Sequence, residues 1–417
     1  MNSTANTDSG PTLTRRELLK TGGIAIAGIA LAQSGLVAQG VQVEKPGRKI
    51  RMGIVGGGFG SCFHWHLDPG CKVEAVSDLL EDRRNNLKQV YKCDKAYNSL
   101  EEMIKDKNID GVAVFTGAPD HARHVIACLE AGKHVICAVP AAMNLEDCRR
   151  ILEAVKKTGM TYMMAETSYY NQSAISARKW YGEGKFGNIF CTEAVYHHAG
   201  LEALYVDGNG KRTWRYGLPP MLYPTHCTAF LTGVTGERLT EVTCVGWGDD
   251  SQFLKDNQYK NPFWNETALF KTDRGNSFKM EVYWKGAHRG TERGQWIGDK
   301  MSFYLHDPNG FGPLIIRSGK QQEKDSAGFV RDLPESEVYD QPDWAQTELP
   351  PSMRVGGGHG GAEPFLTHEF IQAILEERKP AVDIYEALAY TAPGIVAHES
   401  ALRGGKQMRV PSFDAKG

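Results

Sequence analysis

Apolar and polar positions follow two distinct rhythms along this chain, and the first rhythm begins at residue 50. An apolar run at 50–55 leads into a glycine turn at 56–61 and then into a stretch with the composition of a helix. A second apolar run at 73–76 follows and ends on Asp78. This order of strand, glycine turn, helix, strand and acidic residue predicts a dinucleotide-binding βαβ unit.

The same rhythm continues as far as residue 166. Ser99 is the predicted cap of a short helix at 99–104, with Glu102 closing a capping box, and Asn144 is the predicted cap of a helix at 145–158. Buried strands that alternate with helices of this length indicate a parallel, doubly wound sheet. The remaining predicted elements are helices at 81–91 and 122–131 and strands at 111–116, 134–140 and 161–166.

From about residue 168 the pattern changes to longer stretches that alternate with a period of two, which is typical of an antiparallel sheet. The predicted fold class is therefore α/β, with a Rossmann parallel-sheet domain at 49–167 and an α+β domain with an open antiparallel sheet at 168–417. A polar segment at 318–354 is predicted to be an extended arm or loop, and the glycine-rich stretch at 356–361 a hinge or binding loop. The predicted elements are strands at 188–198, 239–247, 267–271, 277–285 and 300–305 and helices at 173–183, 364–377 and 384–404.

The residues of the glycine turn suit a nicotinamide cofactor. Gly56 fits the tight turn and Gly58 the close approach of a pyrophosphate, while Phe59 and Gly60 complete the turn. The N-terminus of the helix that we expect next would offer free N–H groups to the phosphates. Asp78 lies where a carboxylate binds the ribose 2′-OH and repels a 2′-phosphate, so NAD is the predicted cofactor. A glycine turn without a ligand is the alternative.

Two further loops follow strands of the predicted parallel sheet. Ligands of such sheets bind outside the carboxyl ends of the strands, so these loops are candidates for cofactor and substrate contacts. The residues in question are Thr116, Pro119 and His121 for the cofactor, and Glu166, Tyr169 and Asn171 for the substrate or the nicotinamide.

Composition and charge argue against some classes of binding partner. The chain has 417 residues, 41% of them hydrophobic, and a formal net charge of −2, so it is long enough for two domains and gives no electrostatic case for nucleic acid. Its nine cysteines are odd in number and show no CxxC spacing, so we predict buried free thiols. Histidine pairs such as His64 and His66 match no recognised metal spacing, and no catalytic metal is predicted.

The N-terminus has the features of a twin-arginine export signal at 1–40. Arg15 and Arg16 precede a modest run of small and apolar residues at 22–38. That run is short for a membrane span, so we expect no stable membrane anchor and a periplasmic or extracytoplasmic location. An amphipathic N-terminal helix is the alternative.

Three segments resemble the Gfo/Idh/MocA oxidoreductase family, which includes glucose–fructose oxidoreductase. They are the turn GIVGGGFGS, the stretch FTGAPDHARHVIACLEAGKHVICAVPAAMNLEDCRRILEAV, and the tail HGGAEPFLTHEFIQAI with PAVDIYEALAYTAPGIVAHESAL. The resemblance covers about residues 49–412. It implies a Rossmann domain, an open-sheet domain, and a sugar or polyol bound between them over the nicotinamide.

One departure from the family pattern bears on the chemistry. Many members carry Glu-Lys-Pro after the fifth strand, where the lysine takes part in proton transfer, but this chain has Ala138-Val139-Pro140. The VPAA continuation is similar to that of the NAD-dependent α-N-acetylgalactosaminidases, a glycosidase branch with Glu-Val-Pro at this place. Ala138 departs from that branch too.

The remaining catalytic candidates lie in the second predicted domain. In the glycosidase branch a Tyr-x-x-His contributes catalytic residues, and the matching residues here are Tyr223 and His226. Histidine also has a pKa near the working pH, which suits a base for a hydroxyl proton. Adjacent strand residues face opposite sides, and the resemblance selects His198 over its neighbour for the cleft. Trp214 and Arg215 either bind a sugar or pack in the core.

These observations predict an NAD(H)-dependent oxidoreductase that acts on a sugar, polyol or glycoside by hydride transfer. Because an exported enzyme meets no pool of nicotinamide, we expect a tightly bound cofactor that the reaction itself regenerates. A redox-neutral NAD-dependent glycoside hydrolase and a non-catalytic sugar or nucleotide-binding protein are the alternatives. The open sheet face favours a homo-oligomer.

Overall fold

The computed structural model describes residues 47–306, 312–319 and 321–414. The predicted export signal at 1–40 lies outside the described residues. Within the described ranges, no helix combines the length and the apolar character that crossing a membrane requires.

Residues 50–164 form the predicted parallel sheet with its helices. Its six strands lie in the order β3-β2-β1-β4-β5-β6, and every pair is parallel, as in a dinucleotide-binding domain. The strands are β1 (Ile50–Val55), β2 (Cys71–Ser77), β3 (Ala96–Tyr97), β4 (Gly111–Val114), β5 (His134–Cys137) and β6 (Tyr162–Met164). The helices are α1 (Glu81–Tyr91), α2 (Leu100–Met103), α3 (His121–Glu130) and α4 (Leu145–Thr158).

Helices α2 and α4 begin at the caps that the sequence predicted. The Ser99 side chain accepts a hydrogen bond from the backbone N–H of Glu102, and the Asn144 side chain accepts one from the N–H of Asp147. Each cap satisfies a backbone donor that a helix start otherwise leaves unpaired. Helix α4 ends at Gly159, whose φ of 66° is left-handed.

The helix predicted after the glycine turn is absent, because two large side chains are buried at the wrong spacing for one. Phe63 and Trp65 are both fully buried, and residues two apart do not share a face of an α-helix. His64, between them, has a φ of 55°. The segment is instead made of two short 3₁₀ turns, Phe59–Cys62 and Trp65–Leu67. His64 and His66 therefore do not lie on a cofactor helix.

The second sheet has nine strands and is mixed rather than purely antiparallel. The strand order is β16-β13-β12-β11-β7-β10-β9-β8-β17, and only the β7–β10 pair among these described strands is parallel. The strands are β7 (Ile189–His197), β8 (Leu239–Trp247), β9 (Asn265–Thr272), β10 (Ser277–Tyr283), β11 (Thr291–Gly298), β12 (Met301–Tyr304), β13 (Leu314–Arg317), β16 (Glu335–Val338) and β17 (Met408–Arg409). A separate hairpin consists of β14 (Gln322–Lys324) and β15 (Val330–Asp332).

Strand β11 was not predicted, because its central inward position is a glycine. A Cβ atom on Gly294 would lie 2.7 Å from the Phe230 ring, so the ring fills the space that an apolar side chain would take. The same strand places Glu292 directly opposite Tyr196 on β7.

The helices of the second domain pack between and beside the two sheets. The backbone N–H of Met164 on β6 donates to the carbonyl of Val382, which ties the second domain to the parallel sheet, and within the second domain the Thr228 hydroxyl donates to the carbonyl of Tyr390. The polar segment at 318–354 contains β14 to β16 and a short helix, so it is more ordered than the predicted arm. The helices are α5 (Gln172–Gly182), α6 (Thr225–Thr235), α7 (Gln252–Lys255), α8 (Ala345–Glu348), α9 (Ala362–Leu375) and α10 (Ile384–Leu402).

All nine cysteines are free thiols, as predicted. Seven of them are buried, but Cys62 is exposed beside the glycine turn and Cys191 is half-buried, so the expectation of burial is wrong for Cys62.

Candidate active site

A cavity of about 790 Å³ lies at the carboxyl edge of the parallel sheet. One end is lined by the glycine turn and by Asp78, and the other by the end of β7 and the start of α6. A cavity of this volume suits a small-molecule or cofactor site. Eight of the predicted site residues line it: Gly56, Gly58, Phe59, Asp78, Thr116, His198, Tyr223 and His226.

The glycine turn forms a cradle in which, among its four glycines, only Gly58 has room for a Cβ atom. Gly56 has a φ of 98°, and a Cβ atom there would lie 2.1 Å from the carbonyl oxygen of Phe115. Gly60 packs against the Phe115 ring and does not line the cavity, which corrects its predicted role as a contact. A Cβ atom on Gly58 would meet nothing closer than 3.8 Å. The exposed backbone at Gly58 therefore remains accessible to a ligand.

Asp78 closes the cradle from the end of β2. Its Oδ2 accepts a hydrogen bond of 2.7 Å from the N–H of Gly57, and its Oδ1 accepts one of 2.8 Å from the N–H of Leu80. Each carboxylate oxygen keeps a second lone pair, so the group can still accept a hydrogen bond from a ligand hydroxyl. The ribose contact stays a prediction.

The three catalytic candidates meet at the opposite end of the cavity. The Tyr196 ring lies 4.6 Å from the ring of His226 and 5.9 Å from that of Tyr223. His198 faces the cavity, whereas His197 turns away and stacks 4.5 Å from Tyr283. The alternation of side chains along the strand therefore separates the two histidines as predicted, while their roles stay predictions.

His226 is held from behind by two carboxylates. Its Nδ1 lies 2.9 Å from Oε1 of Glu166 and 3.1 Å from the hydroxyl oxygen of Ser168. Ser168 in turn donates to Oε1 of Glu292 at 2.5 Å. Because Nδ1 is engaged inward, Nε2 is the ring nitrogen left for the cavity.

These partners determine the charge of the imidazole. Burial on its own lowers the pKa of His226, but the charges of Glu166 and Glu292 and the hydrogen bond to Glu166 outweigh it and raise that pKa to about 9. Burial likewise raises the pKa of Glu166, and the neighbouring imidazolium overcomes this effect and lowers it. At neutral pH the pair is therefore a carboxylate and an imidazolium.

The pKa of His198 is shifted in the opposite direction to that of His226. Burial lowers its pKa, and the positive charges of Arg215 and His226 lower it further. The cavity end thus holds a neutral imidazole beside a protonated one. Titratable groups whose environments push their pKa values apart are candidates for a base and an acid.

Arg215 supplies a second positive charge at this end. Its guanidinium lies 4.1 Å from the Trp214 ring and hydrogen-bonds the Tyr223 hydroxyl. Burial raises the pKa of Tyr223, while the Arg215 charge opposes that rise. Both Trp214 and Arg215 line the cavity, and their role in binding a sugar stays a prediction.

Two predicted cofactor contacts lie away from the cavity wall. His121 is buried, and its ring nitrogens bond the carbonyl oxygens of Pro140 and Thr116 at 2.8 and 3.1 Å. Pro119 is exposed on a short 3₁₀ turn (Ala118–Asp120). His121 therefore shapes the loop that carries Thr116 instead of contacting a ligand.

The three predicted substrate contacts also lie behind the wall. Glu166 is fully buried against His226, Tyr169 packs 3.8 Å from the guanidinium of Arg178, and the Asn171 side chain caps α5 by accepting from Ser173. Each side chain is already engaged by its neighbours, so none of them faces the cavity. Glu166 is a positioning residue for His226.

The chain's own residues fit a dinucleotide. The tight turn at Gly56, the open backbone at Gly58 and the carboxylate of Asp78 lie along one wall. Within the described ranges, no group of three or more histidine, cysteine, aspartate or glutamate side chains is arranged to hold a metal ion.

Comparison with known proteins agrees with this geometry. Residues 50–166 match the family described as an oxidoreductase family with an NAD-binding Rossmann fold, and residues 309–417 match the glycosyl hydrolase 109 C-terminal domain. A glycosyl hydrolase family 109 protein of Solibacter usitatus is 26% identical, with 96% of each chain covered. An alpha-N-acetylgalactosaminidase of Shewanella oneidensis is 23% identical over 96% of this chain and 95% of its own.

Solved structures share the fold. Levoglucosan dehydrogenase in complex with NADH aligns with a TM-score of 0.71 and 18% identity over 88% of this chain and all of its own. Scyllo-inositol dehydrogenase from Lactobacillus casei, with NAD(H) and scyllo-inositol, aligns with a TM-score of 0.63 and 15% identity over 87% of this chain and 99% of its own.

Proposed function

Residues 50–166 form an NAD-binding Rossmann domain of the Gfo/Idh/MocA oxidoreductase family, and on that premise we propose that the chain is an NAD(H)-dependent enzyme acting on a hydroxyl of a sugar, polyol or glycoside by hydride transfer. The supporting observation is that one cavity joins the glycine cradle to the paired histidines. The names of the dehydrogenases and glycosidases that this chain resembles favour the same substrate class.

In this proposal Gly56, Gly58 and Asp78 hold the cofactor, which when bound supplies the acceptor and donor of hydride. His198, neutral at the working pH, accepts the proton of the substrate hydroxyl. The imidazolium of His226 and the guanidinium of Arg215 stabilise the negative charge that develops on that oxygen. The role of base thereby passes from His226, which already carries its proton, to His198.

We further propose that the cofactor stays bound and is recycled, and that the protein is exported. Support for export comes from the twin arginine at Arg15 and Arg16 and the apolar run that follows. An exported enzyme meets no free nicotinamide, so the reaction must return the electrons that it removes.

A redox-neutral glycoside hydrolase is the second candidate. The match of residues 309–417 to the glycosyl hydrolase 109 C-terminal domain favours it, as do the names of the related chains. Ala138 lines the cavity where that branch carries glutamate, so a hydrolase here would have to manage without that carboxylate. A non-catalytic binding protein is the third possibility.

Full-length protein purified without added nucleotide is expected to release about one equivalent of NAD(H) per chain on denaturation. The supernatant is measured by an enzymatic cycling assay, with a Gly58→Phe variant, whose side chain would enter the cradle, as the matched control. Turnover of p-nitrophenyl α-N-acetylgalactosaminide without added NAD would then favour the hydrolase. Empty protein that reduces added NAD with a sugar would contradict the retained cofactor, and failure to bind nucleotide at all would contradict the proposed function.

We also propose a homo-oligomer formed through the outer face of the nine-stranded sheet. Phe190, Val245, Trp247 and Leu269 are large apolar side chains exposed on three of its strands. Burying them against a second copy would remove apolar surface from water. Sedimentation velocity is expected to show an oligomer that a Trp247→Glu, Leu269→Glu variant dissociates, and a monomeric wild-type protein would contradict the proposal.

A further inference from the structure

The end of the cavity at the glycine turn lacks the α-helix that usually binds the phosphates. In the common arrangement an α-helix begins at the glycine turn and directs its N–H groups and positive dipole end at the pyrophosphate. Here the turn leads into the 3₁₀ segment Phe59–Cys62, and Gly58, which precedes it, has no side-chain cap. A helix this short has no appreciable dipole. A pyrophosphate bound here needs another source of positive charge.

Arg83 is placed to supply that charge. It lies in the first turn of α1 and lines the cavity. Its backbone packs against Gly57, where a Cβ atom would lie 2.7 Å from the Cβ of Arg83. Its guanidinium lies over Gly58, with Nη1 3.8 Å from the position that a Cβ atom would take on that glycine. The positive charge of the guanidinium therefore faces Gly58, the open part of the cradle.

Neighbouring basic side chains at this end already have partners, whereas among the described residues Arg83 has none. Arg84 donates at 2.7 Å to the carbonyl of Asp78, and Arg123 pairs at 2.6 Å with Glu101. His359, which also lines the cavity, bonds the buried carboxylate of Glu363 at 2.8 Å. In the part of the chain that the structure describes, no carboxylate lies within ion-pair distance of the Arg83 guanidinium, so its charge remains available to a ligand.

We infer that Arg83 binds the pyrophosphate of the dinucleotide and takes the place of the missing helix dipole. This inference rests on the proposed function, since it needs a dinucleotide in the cavity. Arginine matches phosphate oxygens with two parallel N–H donors, which an ammonium group does not reproduce. A 2′-phosphate is the other anion that an arginine near this strand end could bind. The position over Gly58, together with the carboxylate at Asp78, favours the pyrophosphate.

The test compares nucleotides that differ in phosphate content. Full-length protein freed of nucleotide with charcoal is titrated calorimetrically with ADP, 5′-AMP and 2′-AMP. Arg83→Gln is expected to weaken ADP binding roughly tenfold, as for the loss of a charge-assisted hydrogen bond, and to weaken 5′-AMP binding much less. Lys88→Gln removes a positive charge from the same helix outside this cavity and is expected to leave all three affinities unchanged.

Arg83→Lys retains the positive charge but lacks the two parallel N–H donors of the guanidinium. It is expected to recover part of the ADP affinity that Arg83→Gln loses. Equal losses for ADP and 5′-AMP, or no loss for either, would overturn the inference. A selective loss of 2′-AMP binding would overturn it in favour of 2′-phosphate recognition. Wild-type protein that binds neither ADP nor NAD would overturn the proposed function itself, which distinguishes the two failures.

Discussion

Glu166→Gln is expected to lower kcat roughly 100-fold or more, the scale of losing one acid–base group. The carboxylate of Glu166 is fully buried and lies 2.9 Å from Nδ1 of His226. Removing one partner of a buried pair leaves the other charge uncompensated, so the imidazolium gives up its proton more readily. The variant therefore loses the cation that stabilises the substrate oxygen.

The pH profile distinguishes this effect from a simple loss of structure. With its pKa at about 9, His226 is protonated below that pH, so activity that needs the imidazolium declines as the pH rises through about 9. Glu166→Gln is expected to lower the pKa of His226 and so to move this alkaline limb of the activity profile to lower pH. The acidic limb, which reports a neutral His198, is expected to stay below the ordinary histidine pKa in both proteins.

Asp68→Asn is the matched control. Asp68 is a buried carboxylate 2.8 Å from Nδ1 of His368, and neither residue lines the cavity. This change is expected to lower the melting temperature without moving the alkaline limb. An unchanged limb in Glu166→Gln, measured at temperatures where the variant is folded, would contradict the assignment of His226 as a resting cation.

Gly56→Ala is expected to abolish NAD binding and to destabilise the protein by several kcal/mol, beyond the roughly 1–3 kcal/mol of backbone strain alone. The new Cβ atom would lie 2.1 Å from the carbonyl oxygen of Phe115, at a φ of 98°. The atom in its way belongs to the backbone of the strand-end loop, so no side-chain rotation relieves the clash. Thermal unfolding of nucleotide-free protein and titration with NAD measure the two effects.

Gly58→Ala provides the contrast within the same turn. Its backbone angles, φ −75° and ψ −95°, lie between the helical and extended regions, so alanine adds some backbone strain, but its Cβ atom would meet nothing closer than 3.8 Å. The melting temperature is expected to fall less than in Gly56→Ala, whereas NAD affinity falls because the methyl group enters the open part of the cradle. Normal NAD binding by Gly56→Ala would contradict the cradle as the cofactor site, whereas equal losses of stability in the two variants would contradict the backbone clash at Gly56.

Local sequence signals account for much of the Rossmann domain. The caps at Ser99 and Asn144 are short-range hydrogen bonds, and α1 and α4 have the bounds that their patterns predicted. The glycine turn is also local, since Gly56 needs a backbone conformation that few other residues adopt. The helix expected after it failed because Phe63 and Trp65 are drawn into the core by distant rings at Phe115 and Phe370.

By itself the sequence determined that the first domain is a parallel sheet, that a glycine cradle lies at its carboxyl edge, and which types of side chain are the catalytic candidates. Each of these follows from residues that are close together along the chain. Only the tertiary structure decided that Glu166 serves His226 instead of the substrate, and that Glu292 completes the group. The charge of an imidazole depends on which carboxylates the fold brings to it. Glu166 follows β6 and Glu292 lies on β11, so strands β7 to β10 separate them along the chain.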